Sequence, residues 1–168
     1  MQFISSDTSV WIDFSIIGFL QAPFLLNDQF TYMMAGDSID AELLYPPALR
    51  TDLLKYGLLR TELTEEEYQL AIRFTTIYPQ LSAYDRFALS IAKVRKIILL
   101  TGDGRLRKAA LQEKVEVHGT LWVVDQLWAK RRLQGEEYKT LLAQLENHCG
   151  KEVRLPLDEI LKRIKELY

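Results

Sequence analysis

Four acidic residues occupy equivalent positions in this chain, each where a strand-like run gives way to a helix-like run. They are Asp7, Glu42, Asp85 and Asp103. In an open α/β sheet, residues just beyond the carboxyl ends of the strands meet at one crevice, even when they are far apart in sequence. Carboxylates gathered in this way repel one another, and a hard divalent cation such as Mg²⁺ or Mn²⁺ relieves that repulsion. The pattern therefore indicates metal-assisted phosphodiester chemistry.

Two of these acids directly follow predicted strands. Asp7 lies in SSDTS, where Asp, Ser and Thr all cap helices well, although the neighbouring hydroxyls also suit a metal-bound water or a phosphate oxygen. Asp103 lies between Gly102 and Gly104, which permit a tight turn and a close approach of a ligand to the backbone. Helix cap and ligand both remain open interpretations for each residue.

The other two acids have nearby competitors or a structural role of their own. In GDSIDAEL, Asp37 fits a helix cap and Asp40 the position three residues later, while Glu42 stands deeper in the helix. Ser82 is the evident cap of the following helix, which leaves Asp85 in the first turn, where an acid favours the helix dipole. Each of these acids has a structural explanation alone, so the functional interpretation depends on their combination.

Strand-like and helix-like runs alternate along most of the chain. Strands are predicted at 2–6, 30–34, 58–63, 96–101 and 115–118, and helices at 8–20, 39–45, 64–77, 82–95, 102–113 and 120–133. A turn is predicted at 35–37. This alternation predicts an α/β fold with a central, mostly parallel sheet of four to five strands and helices on both faces.

Two further helices are predicted at 136–149 and 157–167. They divide the chain into a domain at 1–133 and a C-terminal helical extension at 134–168 that packs on the same domain, with 150–156 as the candidate linker. On the first helix, Asp13 is expected to be exposed to solvent. The apolar Trp11, Phe14 and Phe19 either pack in the core or present a groove to a partner helix or to a second subunit.

Composition limits the classes of function. With 168 residues, of which 48% are hydrophobic and 26% charged, the chain fits one globular domain. The net charge of −2 means that any contact with nucleic acid must come from local basic patches. The single Cys149 excludes an internal disulfide, and His118 and His148 add no zinc signature. No secretory leader or apolar run of about 18 residues is evident, so we expect a cytoplasmic protein without membrane contact.

Four segments resemble PIN-domain ribonucleases of the kind found as VapC-like toxins in bacterial and archaeal toxin–antitoxin pairs. They are SSDTSVWIDF, DAEL, LSAYDRFALSIAK and LLTGDGRLRKAA, and VEVHGTLWVVDQL is similar to the closing strand and helix of some members. The resemblance implies a PIN-like three-layer sandwich and endonucleolytic cleavage of RNA with Mg²⁺ or Mn²⁺. It also implies an antitoxin protein as a partner, and the second subunit considered for the first helix would make a homodimer. The helices beyond Leu133 lie outside it.

The same resemblance assigns roles to individual residues. Metal-binding and catalytic roles fall on Asp7, Glu42, Asp85 and Asp103, with Thr8 or Ser9 supporting the site. RNA would need basic residues near this acidic crevice, and Tyr84 either stacks on a base or packs in the core. A solvated helix face is the simpler explanation for each candidate basic residue; the candidates are Arg86, Lys93, Arg95, Lys96, Arg105, Arg107 and Lys108.

Two alternatives to an active ribonuclease remain. The first is a catalytically inactive PIN-like domain that acts as a protein-interaction module, although the presence of all four acids favours the enzyme. The second is a phosphoryl-transfer receiver or phosphatase, which also uses aspartates at strand ends. That class needs a lysine at a strand end, and no lysine falls at a convincing strand end here.

Overall fold

The computed structural model describes residues 1–167, whose centre is a five-stranded sheet. The strands are β1 (Gln2–Ser6), β2 (Phe30–Ala35), β3 (Leu59–Thr61), β4 (Ile98–Leu100) and β5 (Val117–His118). They are arranged in the order β3-β2-β1-β4-β5, and every neighbouring pair is parallel. The predicted α/β fold is confirmed, and the sheet is entirely parallel.

Both faces of the sheet are covered, which explains why β4 is apolar without interruption. Along β4, Ile98 and Leu100 pack in one core, whereas Leu99 packs in a second core on the opposite face. Ile4 of β1 pairs with Ile98 and with Tyr32 of β2, so the first core continues across the middle of the sheet.

Nine α-helices are present in the part of the chain that the structure describes. They are α1 (Thr8–Ile16), α2 (Gly36–Glu42), α3 (Leu49–Tyr56), α4 (Glu65–Ile77), α5 (Ala83–Arg95), α6 (Gly104–Gln112), α7 (Thr120–Ala129), α8 (Gly135–His148) and α9 (Leu157–Lys165). A short 3₁₀ helix covers Ala22–Leu26. None of the helices within residues 1–167 combines the length and apolarity that crossing a bilayer requires.

The structure differs from the sequence prediction around α1, α2 and α3. The first helix ends near Ile16 rather than residue 20, because Gly18 adopts a left-handed conformation with φ of 78°. The second helix begins at Gly36, directly after β2, so the predicted turn at 35–37 is wrong. The helix at 49–56 and the 3₁₀ helix were not predicted.

The aromatic residues of α1 belong to the core. Trp11 and Phe14 are fully buried, and the Trp11 ring stacks on Phe24 at 5.3 Å between centroids and meets Tyr32 edge-on at 5.2 Å. Phe19 packs against the same core while partly buried. Of the two alternatives for these side chains, packing in the core applies to Trp11 and Phe14.

The C-terminal helices pack on the same core as the sheet. Leu141 of α8 and Ile160 of α9 are fully buried in the cluster that contains Ile4 and Trp11. The guanidinium of Arg163 also donates to both carboxylate oxygens of Asp125 on α7, at 2.7 and 2.8 Å. The division at 133/134 stays a prediction, and the last residue of the predicted extension, 168, lies outside the described residues.

Candidate active site

The loop after β1 holds Asp7 at the N-terminal boundary of α1, yet its side chain does not cap that helix. Instead, Oδ2 of Asp7 accepts hydrogen bonds from Ser9 Oγ at 2.8 Å and from Thr101 Oγ1 at 2.9 Å. Thr101 follows β4, so the carboxylate is directed towards the end of the neighbouring strand. Of the two interpretations of Asp7, this geometry does not support the helix cap.

The loop after β4 holds Asp103, which does cap a helix. Its Oδ1 accepts hydrogen bonds from the backbone N–H groups of Arg105 at 2.8 Å and Leu106 at 3.0 Å. Its own N–H donates to Thr101 Oγ1 at 3.0 Å. Among residues 1–167, Oδ2 of Asp103 has no hydrogen-bond partner. Only one of the two oxygens is therefore occupied by capping, and the other is available to a ligand.

Glu42 is the last residue of α2, and it contacts the loop after β1. Its Oε1 accepts a hydrogen bond of 2.9 Å from Thr8 Oγ1. The competing Asp40 is instead held by both terminal nitrogens of Arg60, at 2.8 and 2.7 Å. Glu42 is therefore the acid of this segment that reaches the end of β1.

Asp85 lies in the first turn of α5 and forms a capping box with Ser82. Because α5 follows the helix α4, the expectation that Asp85 lies at a strand-to-helix boundary is wrong. The Asp85 N–H donates to Ser82 Oγ at 3.1 Å, and the Ser82 N–H donates to Asp85 Oδ2 at 3.2 Å. The structural role expected for Asp85 is therefore present. It does not exclude a second role, because a capping carboxylate keeps a further oxygen and its negative charge.

The four acids influence one another electrostatically. Burial raises the pKa of Asp7 above its usual range, and the charge of Asp103 raises it further. Burial also raises the pKa of Glu42, with additional contributions from Asp7 and Asp85. For Asp85, burial followed by the charge of Asp7 raises the pKa to about 6, and Asp103 adds to the shift. The structure thus brings all four predicted residues into one electrostatic group at the carboxyl edge of the sheet.

The donor set of this group suits a hard divalent cation. Its ligand atoms are carboxylate oxygens, which Mg²⁺ and Mn²⁺ prefer, and no Lys, Arg or His within residues 1–167 forms an ion pair with any of the four. The side chains are not arranged as a complete metal site: no three His, Cys, Asp or Glu side chains in the described chain are placed so that they could hold one ion. The side chains are directed instead by hydroxyl donors and helix caps.

Asp13 is a buried acid whose environment the sequence prediction described wrongly. Only 8% of it is exposed, and Oδ2 accepts a hydrogen bond of 2.8 Å from Thr120 Oγ1. Burial raises the pKa of Asp13 to about 6. A Cβ at Gly102 would lie 3.7 Å from this oxygen, so Asp13 borders the turn that carries Asp103.

A sequence signal for the burial of Asp13 was available. The residue lies three positions after Val10 and four before Ile17, and both of these apolar residues are buried. Residues with these spacings share one face of a helix. The expected exposure of Asp13 ignored this periodicity.

The basic residues predicted to approach RNA differ in their contacts within the protein. Lys93 forms an ion pair with Glu113, and Arg95 with Glu67, so neither is a free cation. Arg107 differs from both: a Cβ at Gly119 would lie 2.8 Å from Arg107 Nη2, so its guanidinium rests against the backbone just after β5.

One large cavity lies away from the acids. It has a volume of about 570 Å³ and borders Gln2, Ile98 and Val115, at the amino ends of β1, β4 and β5. Parallel α/β sheets bind their ligands at the carboxyl ends of the strands. The acidic crevice is therefore the better candidate for the active site.

A parallel sheet with acids beyond the ends of its central strands is the arrangement of a PIN-like α/β protein. A family model described as DUF3368, PIN domain, matches residues 3–167, and the chain belongs to this family. PIN domains are in general nucleases that use divalent metals, so the family indicates a nuclease type of function. No match was found among curated proteins or among solved structures.

Proposed function

We propose that this chain is a metal-dependent endoribonuclease that hydrolyses RNA phosphodiester bonds, with Asp7, Glu42, Asp85 and Asp103 as the acids that hold Mg²⁺ or Mn²⁺. The supporting observation is that burial and mutual repulsion raise the pKa values of Asp7, Glu42 and Asp85 while no basic side chain among residues 1–167 pairs with them. If these acids had only a structural role, their proximity would not stabilise the fold, since each carboxylate makes the others harder to ionise. A bound cation favours their ionised forms.

The hydroxyl groups around the acids orient them. Ser9 and Thr101 both donate to Asp7 Oδ2, and Thr8 donates to Glu42 from the adjacent position. When bound, a divalent cation would supply the charge that activates a water and stabilises the leaving oxygen. The role of the chain is to hold its carboxylates in one place before the substrate arrives.

Cleavage of single-stranded RNA with Mg²⁺ or Mn²⁺ tests this function. We expect the wild type to cut, and Asp7→Asn and Asp103→Asn to lose the activity. The matched control is Asp158→Asn, an exposed aspartate in the first turn of α9, which should cut like the wild type. A DNA strand of the same sequence tests the preference for RNA. Cutting that survives both site substitutions would assign the activity to another site or to a contaminant.

We further propose that the enzyme is the toxin of a toxin–antitoxin pair, on the support of the resemblance alone. Induced expression of the wild type should arrest growth, whereas Asp7→Asn expressed at the same level should not. Arrest by both forms would contradict a toxin that acts through the acids. A bound antitoxin and a homodimer are the corresponding partner proposals, and the mass of the purified particle in solution tests both.

The alternative is an inactive PIN-like domain that serves as a protein-interaction module. It is favoured by one observation, the lack of three metal-ligating side chains arranged around a common point within residues 1–167. Calorimetry with Mn²⁺ separates the two functions. Binding that depends on Asp7 supports the nuclease, and the absence of any binding supports the module.

A further inference from the structure

A second cleft borders the acidic crevice on the β5 side. It has a volume of about 470 Å³, within the roughly 300–1,000 Å³ of typical ligand sites, and its walls come from the end of β5, the start of α7 and the segment before α9. A smaller cavity of about 290 Å³ contains Asp13 and Asp103. Gly102 and Arg154 line both, so the cleft leads directly to the candidate active site.

Two cations in the cleft have no partner among residues 1–167. Arg107 and Arg154 are exposed, and neither guanidinium has a hydrogen-bond or ion-pair partner in the described part of the protein. The acid of the same cleft, Asp125, is already held by Arg163 through two hydrogen bonds. Glu152, at the edge of the smaller cavity, is hydrogen-bonded to His148 at 2.8 Å. The unpaired charge in the cleft is therefore positive, although the whole chain is acidic.

Arg107 lies close to the backbone at the end of β5. A Cβ at Gly119 would lie 2.8 Å from Arg107 Nη2 and 3.2 Å from the carbonyl oxygen of Thr101, so the guanidinium occupies the space beside this glycine. Thr101 is the residue that contacts Asp7. The guanidinium of Arg107 is therefore close to the strand end that positions the candidate catalytic acids.

The cleft also contains an aromatic platform. His118 and Trp122 stack with their ring centroids 4.4 Å apart and their planes 10° from parallel, and both are only partly buried. Trp122 also contacts Phe30, with the ring centroids 5.2 Å apart. Proteins bind single-stranded nucleic acids with this combination of aromatic rings and unpaired arginines, because bases stack on the rings and phosphates pair with the cations.

We propose that this cleft binds the RNA strand beside the scissile phosphate. Arg107 and Arg154 contact backbone phosphates, and the His118–Trp122 pair stacks on a base. The proposal rests on the proposed ribonuclease function and adds to it the surface that leads the substrate to the acids. It also gives the segment between α8 and α9 a role, since Arg154 reaches the substrate from there.

Binding of a fluorescent single-stranded RNA in EDTA tests the cleft without cleavage. We expect Arg107→Gln and Arg154→Gln each to weaken binding about tenfold, as for the loss of a charged hydrogen bond. Each should also reduce the slope of log affinity against log salt by about 0.7. Arg73→Gln is the matched control, because Arg73 is an exposed arginine of α4 outside the cleft. All three should unfold at the wild-type temperature.

Cleavage rates of the same variants with Mn²⁺ separate this proposal from the proposed function. Raised KM with a nearly unchanged kcat in the two cleft variants supports the cleft. If the wild type cuts RNA and both variants bind and cut as Arg73→Gln does, the proposal that the cleft binds RNA is wrong, whereas the proposed ribonuclease activity is supported. If RNA binds through these arginines without being cut, the proposed ribonuclease activity is wrong, whereas the proposal that the cleft binds RNA is supported. No RNA binding by the wild type overturns both.

Photo-crosslinking tests the stacking platform without a substitution in the partly buried Trp122. RNA that carries thiouridine should form its adduct on the peptide that contains His118 and Trp122. Arg154→Gln should reduce the yield of that adduct. Crosslinks that fall only elsewhere would overturn the proposed path of the strand.

Discussion

The hydroxyl of Thr101 donates a hydrogen bond of 2.9 Å to Oδ2 of Asp7, 94 residues away in the sequence. The same oxygen of Thr101 accepts a hydrogen bond of 3.0 Å from the N–H of Asp103. One buried side chain thus connects the loops that follow the two central strands, β1 and β4. The arrangement of the candidate acids depends on this threonine as much as on the acids themselves.

Thr101→Val should shift the pH dependence of RNA cleavage. The hydrogen bond from Thr101 lowers the pKa of Asp7, so its loss leaves that pKa higher and moves the acidic limb of the rate profile to higher pH. The free energy of unfolding should fall by about 1–3 kcal/mol, because the partners of Thr101 stay buried. Thr101→Ser keeps the hydroxyl, so the acidic limb of its pH–rate profile should lie at the same pH as that of the wild type. A valine variant with an unchanged profile would contradict this role.

Asp13→Asn should stabilise the protein above pH 6. The pKa of Asp13 is raised from 3.8 to about 6 in the folded state. Between these values the folded protein holds a proton that the unfolded chain has released, so stability falls as the pH rises from about 4 to 6. Asparagine still accepts the Thr120 hydrogen bond and carries no charge.

Urea unfolding at pH 4 and pH 7.5 measures this effect. The free energy of unfolding of Asp13→Asn should exceed that of the wild type by up to about 3 kcal/mol at pH 7.5 and by little at pH 4. The exposed Asp158→Asn should show no such difference. A variant that is less stable than the wild type at pH 7.5 would show that the ionised Asp13 is required by the fold.

Arg95→Met should destabilise the protein strongly. Glu67 is fully buried, and although burial opposes its ionisation, the hydrogen bonds from Arg95 at 2.7 and 2.9 Å and from the Thr64 backbone hold its pKa below the usual range. Without Arg95 the carboxylate is uncompensated, which costs about 3–5 kcal/mol.

The loss from Arg95→Met should depend on pH. A depressed pKa contributes stability above the unfolded value that disappears as the pH falls, so the difference from the wild type should shrink near pH 4. Replacing both partners, as in Glu67→Leu with Arg95→Met, should recover part of the loss, because no charge is left buried. Arg73→Met is the matched control. If the single and double variants unfold alike in urea, the ion pair does not stabilise the fold.

Ile160→Ala should lower the free energy of unfolding by about 2–4 kcal/mol. Ile160 is fully buried in the core that contains Ile4, whereas its neighbour Leu161 is 42% exposed. Leu161→Ala is therefore the matched control and should cost far less. If 134–168 packs on the same domain, Ile160→Ala should still unfold in a single transition. Two separate transitions by circular dichroism would contradict that packing.

The sheet and two of the acids were predictable because their signals are local. The continuous apolar run Ile98–Leu100 indicates a strand that is covered on both faces, and Asp103 lies just beyond it. Asp7 directly follows the short, partly apolar strand Gln2–Ser6. The helical periodicity and capping box that begin α4 were equally readable. These features depend on residues within a few positions of one another.

The remaining features of the candidate site could not be predicted, because they depend on side chains that lie far apart in the sequence. The preference for Glu42 over Asp40 follows from Arg60, which holds Asp40 from 20 residues away, and from Thr8, which holds Glu42. The role of Asp13 depends on Thr120, 107 residues away. No local pattern reveals such pairs, because they exist only after the strands have been arranged in the sheet.

The most direct test of the central claim is calorimetric titration of the protein with Mn²⁺ at pH 7.5 and 5.5, comparing the wild type with Asp7→Asn and Asp158→Asn. If the four acids share a cation, the wild type and Asp158→Asn bind Mn²⁺ with release of protons. Binding should weaken at pH 5.5, below the pKa of Asp85 of about 6. Asp7→Asn should lose this binding. An Asp7→Asn protein that binds Mn²⁺ as tightly as the wild type would contradict the claim.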